Sequence, residues 1–144
     1  MNRAVDTYKK TRVQTVDEGK LLLMLYDGAL QFLSEAEAGI NGKNVEKAHN
    51  SIIKVQKIVT ELMVSLNLEL GGDIARNLQS LYVYVNRRLL AANVKKDREI
   101  IGEVREIISS LRNAFADIVK KSVRPKTEPG PVAADLVGKL NLQG

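Results

Sequence analysis

The chain has 144 residues, with 22 Lys and Arg against 17 Asp and Glu, a net charge of +5 and no cysteine. That length suits one domain with a real core, and the lack of thiols excludes disulfides, thiolate nucleophiles and thiolate metal sites, which fits a reducing cytosol and also a secreted protein built without disulfides. The N-terminal stretch MNRAVDTYKKTRVQTVDEGK has no signal-peptide core, and the longest apolar run, Leu21 to Tyr26, is far short of the roughly 20 residues that span a bilayer, so neither secretion nor stable membrane insertion is expected.

Apolar residues recur at the helical period in four successive segments. The first opens near Thr15-Val-Asp-Glu18, a capping-box pattern, and runs to Ile40, where Asn41-Gly42 ends it. Asn44 is placed to cap the second, whose Ala48, Ile52, Val55, Val59, Leu62 and Leu66 alternate spacings of four and three. ELGGD then breaks the chain, and Asp73 opens a third helix with Ile74, Leu78, Leu81, Tyr82, Val85, Leu89 and Ala92 on one side. Asp97 opens the fourth, with Ile101, Val104, Ile108, Leu111, Phe115 and Ile118 at three-four spacing, closed by Lys120-Lys121. Short links between neighbours imply antiparallel packing. The expected fold is all-α: an antiparallel up-down four-helix bundle over residues 15–121, with a mobile N-terminal segment over 1–14 and a mobile Pro-containing tail over 122–144. In that tail Val132, Leu136, Val137 and Leu140 fall on one side of a short helix that Gly138 weakens. Such a segment can dock on its own or a neighbouring bundle, giving weak self-association.

Catalytic and cofactor chemistry find little support. His49 is the only histidine, so Glu46-x-x-His49 cannot build the two-motif di-iron site its spacing suggests, and no metal or other cofactor is expected. Asp73 follows Gly71-Gly72 and would repel a phosphate there. Ser34, Ser51 and Ser109 lack a recognisable general base. The third helix interleaves tyrosines with Arg87, Arg88, Lys95 and Lys96, as a nucleic-acid reader would. Yet Tyr82 belongs to the core stripe, and cations at a helix end complement the dipole, so no nucleic-acid partner is expected. The chain reads as a binding protein rather than an enzyme.

Helices one to three carry more apolar surface than a core stripe needs. With Leu22, Tyr26, Ala29 and Leu33 facing inward, Met24 points nearly opposite, flanked by Leu21, Gly28 and Phe32. Ile53 and Val64 on the second helix, and Val83, Leu90 and Val94 beside Arg87 on the third, also lie away from the core seam. The fourth helix presents Gly102, Arg105, Glu106, Ser109 and Asn113 outward and is ordinarily amphipathic. The surplus fits grooves for amphipathic helices of another chain; chain ends or a second subunit covering scattered apolar residues is the plainer alternative.

These residues also carry a resemblance. LLLMLYDGALQFL, then GGDIARNLQSLYVYVNRRLLAANVKKD, preceded by YKK, is similar to the flagellin-specific export chaperones of the FliS family over residues 8–120. Val83 stands where family members often carry an acidic residue. The resemblance implies a helical bundle in the cytosol that binds the disordered C-terminal segment of flagellin, prevents premature polymerisation and delivers it to the flagellar type III apparatus, contacting the export-gate protein FlhA. It also implies that Tyr8 covers part of the surface when flagellin is absent, and that Tyr82, Arg87 and Arg88 belong to the family pattern. The expected partner-binding residues are therefore Tyr8, Leu21, Met24, Phe32, Ile53, Val64, Tyr82, Val83, Arg87, Leu90 and Val94. A helical-bundle regulatory adaptor docking another amphipathic segment is the alternative.

Overall fold

The computed structural model describes the backbone of residues 3–122 and the side chains of residues 18–121. Four helices follow one another: α1 (Arg3–Asn41), α2 (Val45–Val64), α3 (Leu68–Lys95) and α4 (Arg98–Ser122). α1 and α3 each pack on both α2 and α4, while the diagonal pairs do not pack directly. This is the expected antiparallel bundle.

The helix boundaries follow local chemistry, with two departures from expectation. α1 starts at Arg3, twelve positions before the expected Thr15. Residues 3–14 contain neither Gly nor Pro, so nothing in the chain stops the ladder from continuing through the capping-box pattern. Its other end holds at Asn41, but the left-handed residue of the turn is Lys43 (φ 56°), not Gly42. Asn44 caps α2 as expected, its Oδ1 accepting from the Lys47 amide at 3.1 Å. The second departure is at α3, which opens with a turn at Leu68, capped by Asn67 through the Leu70 amide at 3.0 Å. Gly72 (φ 55°, ψ −133°) then kinks the helix, a conformation a side chain would strain. The long run resumes at the expected Asp73, which pairs with Arg76. Asp97 accepts from the Glu99 amide at 2.9 Å and starts α4. The expected tail lies outside the described residues, apart from the α4 backbone at Ser122.

The inward stripes meet as read. Tyr26, Leu33, Ile52, Val55, Val59, Tyr82, Val85, Leu89, Ile101, Val104 and Ile108 are enclosed, and each large apolar side chain buried in this way contributes about 1.5–3 kcal/mol. α1 and α2 approach closely at Gly39, where a Cβ would stand 2.7 Å from the Ala48 nitrogen. α1 and α4 are joined by polar links from Asp27 to Asn41 of α1. Arg112 donates to Asp27 and Arg105 to Glu37, each at 2.9 Å, and Arg98 donates to Asn41 at 3.1 Å. Arg105, expected to point outward, thus turns back onto α1. Phe115 stacks on Tyr26 with centroids 5.6 Å apart. Across the diagonal, where no helix pair packs, the hydroxyls of Tyr26 and Tyr82 share a hydrogen bond.

Candidate partner-binding surface

Two side-chain pairs set the register of α2 against α3. His49 Nδ1 and Asn93 Nδ2 lie 2.9 Å apart, and Asn86 Nδ2 donates to Thr60 Oγ1 at 3.4 Å. Ile53 is one turn beyond His49 and Leu90 one turn before Asn93, so these two stand level across the seam. The same step from Thr60 and Asn86 brings Val64 level with Val83. The outer side of the α2/α3 seam therefore carries two pairs of rungs, polar beside apolar: His49 with Asn93 next to Ile53 with Leu90, and, further along, Thr60 with Asn86 next to Val64 with Val83. Val94 extends the track beside Asn93. Exposed Lys57, one turn beyond Ile53, and exposed Arg87, one turn before Leu90, lie between the two pairs.

The exposed fractions separate this surface from the core. Val64 is 75% exposed, Leu90 58% and Val94 78%, with Val83 also exposed and Ile53 half-buried. The Thr60 hydroxyl donates to the Gln56 carbonyl at 2.9 Å, which leaves Thr60 Oγ1 as an acceptor and orients the Asn86 amide nitrogen toward it. Asn86 Oδ1 is then a buried oxygen without a hydrogen-bond partner among the described residues.

A second group lies on α1. Leu21 and Met24 are exposed, Met24 by 68%. Phe32 is half-buried, with Lys54 Nζ of α2 5.1 Å from its ring centroid. Gly28 lets Ile58 of α2 come within 3.4 Å of where a Cβ would be, while its neighbour Asp27 faces α4. Leu21, Met24 and Phe32 thus border the α1/α2 side, apart from the α2/α3 track.

Tyr82 does not join either surface. It is 1% exposed, hydrogen-bonded to Tyr26, and burial raises the pKa of both phenols above their ordinary value. Its place is the core because it falls on the inward stripe with Leu78, Val85 and Leu89. The side chain of Tyr8 lies outside the described residues. The adjacent arginines divide: Arg87 is exposed, whereas Arg88 reaches α4, its Nε donating to Glu103 at 2.9 Å. Tyr84 donates to the same carboxylate at 3.0 Å. Hydrogen bonds from Arg88 first and Tyr84 second hold the Glu103 carboxyl below the ordinary carboxylate range.

Residue spacing alone missed the apolar surface around the kink. Leu68 is exposed and Leu70 is 88% exposed, on the turn that Asn67 caps. The signal was present in Asn67 preceding ELGG, but the Gly pair reads as a break rather than as an extra turn. Among the described residues no three His, Cys, Asp or Glu side chains are grouped as a metal would require, and no helix is long and apolar enough to cross a membrane.

Comparison with known proteins places this bundle. The sequence model of the family described as flagellar protein FliS matches residues 1–122. The flagellar secretion chaperone FliS of Bacillus subtilis is 30% identical over 126 residues, covering 88% of this chain and 93% of the relative. The Salmonella typhimurium protein of the same name is 33% identical over 114 residues, covering 78% and 84% respectively. That of Vibrio cholerae is 30% identical over 122 residues, covering 82% and 90%. A four-helix bundle with an apolar track outside its core, matched over most of its length by these relatives, belongs to the FliS family of flagellar secretion chaperones.

Proposed function

We propose that this chaperone binds the disordered C-terminal segment of flagellin in the cytosol, prevents its premature polymerisation and delivers it to the flagellar type III export apparatus by contact with FlhA. The supporting observation is the apolar track of half-buried Ile53 with exposed Leu90, Val94, Val64 and Val83 on a chain whose relatives are flagellar secretion chaperones. An unfolded segment gains a place for its apolar face there, and the ordering entropy it loses keeps the complex dissociable. Leu21, Met24 and Phe32 offer the same segment a second contact after it crosses α2. Residue Tyr8 covers part of the surface between clients. No nucleic acid takes part.

Calorimetric titration with the C-terminal segment of flagellin from the same organism tests the reading. The wild-type chain binds saturably. Leu90→Asp keeps the helical circular dichroism because its side chain faces solvent, yet weakens binding about tenfold to a hundredfold, since a carboxylate buried under an apolar partner costs about 1–3 kcal/mol. Absence of saturable heat with the wild-type chain overturns the proposal.

A further inference from the structure

The apolar track has an open end, and the chain has a segment of suitable length and pattern that leaves the bundle at that same end. Because α4 runs antiparallel to α1, its last turns lie beside the start of the packed part of α1, where Val119 contacts Gly19. The antiparallel order brings the end of α2 and the beginning of α3 to this end as well. There Val64, Leu68 and Leu70 are exposed, and the exposed Val83 follows further along α3, one turn before Asn86.

Beyond the α4 backbone, residues 123–144 follow, and the family match stops at residue 122. Residues 123–131 form a link that holds all three prolines, Pro125, Pro129 and Pro131. Nine residues reach about 30 Å when extended. The axes of diagonal helices in a bundle stand only about 13 Å apart, given about 8–10 Å between neighbours. The link therefore spans from α4 to the α2/α3 track. After it, Val132, Leu136 and Leu140 recur every four residues with Val137 beside them, and Asp135 and Lys139 flank that stripe as an i, i+4 pair. Asp135 also matches the cations Lys57 and Arg87 along the track. A helix this short, with Gly138 inside it, is unstable alone and gains its stability from a surface.

We propose that residues 132–142 dock as an amphipathic helix on the Val64–Val83 end of the α2/α3 track of their own chain and compete there with the export client. The competition rests on the client-binding reading above; the docking does not. Effective concentration favours the tethered segment until a longer client displaces it.

Because the chain contains no cysteine, Ala134→Cys carries a single nitroxide label on the side of the segment opposite its apolar stripe. In dilute protein the label broadens the methyl signals of Val64 and Val83 more than those of Val94, and Leu136→Asp in the same labelled chain abolishes the difference. Equal broadening at the three valines overturns the proposal. So does broadening that appears only when labelled protein is mixed with isotope-enriched unlabelled protein, which assigns the contact to a second copy. A chain ending at Ser122 then binds the flagellin segment more tightly. A tail that occupies the track about nine-tenths of the time raises the apparent Kd about tenfold. Unchanged affinity on truncation overturns the competition, whereas a bundle that binds no flagellin in either form while keeping the selective broadening overturns the client reading and leaves the docking standing.

Discussion

Tyr26 and Tyr82 place two hydroxyls in the centre of an otherwise apolar core, and each is the other's partner. Removing one strands the other: Tyr82→Phe leaves a buried hydroxyl unsatisfied, which costs about 1–3 kcal/mol, whereas the double change to Phe removes both polar groups and costs less than the sum of the single changes. Urea denaturation of the four chains of the cycle measures this coupling, and additive losses would show that the pair contributes nothing beyond packing. The same burial sets a pH dependence. Desolvation first, and the neighbouring phenol second, push Tyr26 far above its ordinary 10.0, and desolvation raises Tyr82 as well. The folded chain therefore keeps both protons where the unfolded chain gives them up. The stabilisation is complete below pH 10 and is lost as pH rises beyond it. Denaturation midpoints between pH 9 and 11 fall more gently in the Tyr26→Phe, Tyr82→Phe double variant than in the wild type. Parallel profiles would contradict enclosure of the phenols.

The helices carry their specificity in a few small residues. At Gly39 the α1 backbone lies against that of α2, and an added Cβ would stand 2.7 Å from the Ala48 nitrogen. Gly39→Ala forces the helices apart and destabilises by about 1–3 kcal/mol. Gly102 on α4 has open space where a Cβ would go, so Gly102→Ala gains about 0.5–1 kcal/mol from helix propensity alone. Thermal melts that move in the same direction for both would show that the α1/α2 approach is looser than described. Neither effect is readable from sequence, because both glycines interrupt good helical patterns in the same way. What could be read were the features set by neighbours in the chain: the caps at Asn44 and Asp97, the core stripes and the outward Leu90 and Val94. What could not were features set by a facing helix. Arg105 looked solvated because its own helix offers it no partner, yet Glu37 of α1 does. For Tyr82 the two sequence readings conflicted, since its phase on α3 put it on the core stripe while the family pattern suggested contact, and the enclosure follows the phase. The start of α1 was misjudged because a capping pattern signals a possible beginning and cannot veto a helix already under way.

At the scale of the molecule, four grooves run between adjacent helices, and the polar links are distributed unevenly among them. The α1/α4 seam holds three arginine links, the α3/α4 seam holds the Arg88–Tyr84–Glu103 cluster, and the α2/α3 seam holds only the two amide rungs, of which Asn86 leaves an oxygen unpaired. The candidate client track thus follows a seam that no ion pair crosses among the described residues, a property of the assembled bundle that no single helix displays. The α1/α4 seam also differs from the others in chain distance. Every other seam joins successive helices across a two- or three-residue turn, while Asp27 and Arg112 meet across 85 positions. Closing that gap costs loop entropy that the local hairpins avoid, so the last helix should dock after the transition state for folding. Phe115→Leu, which thins the stack on Tyr26 at a cost of about 1 kcal/mol, should then leave the refolding rate unchanged and quicken unfolding about fivefold. Stopped-flow traces showing slowed refolding instead would place α4 in the nucleus. If α4 docks late, the arginine links that zip it to α1 act as a clasp on an already assembled three-helix sheet: they govern how long each molecule stays shut once folded, rather than how quickly it gets there.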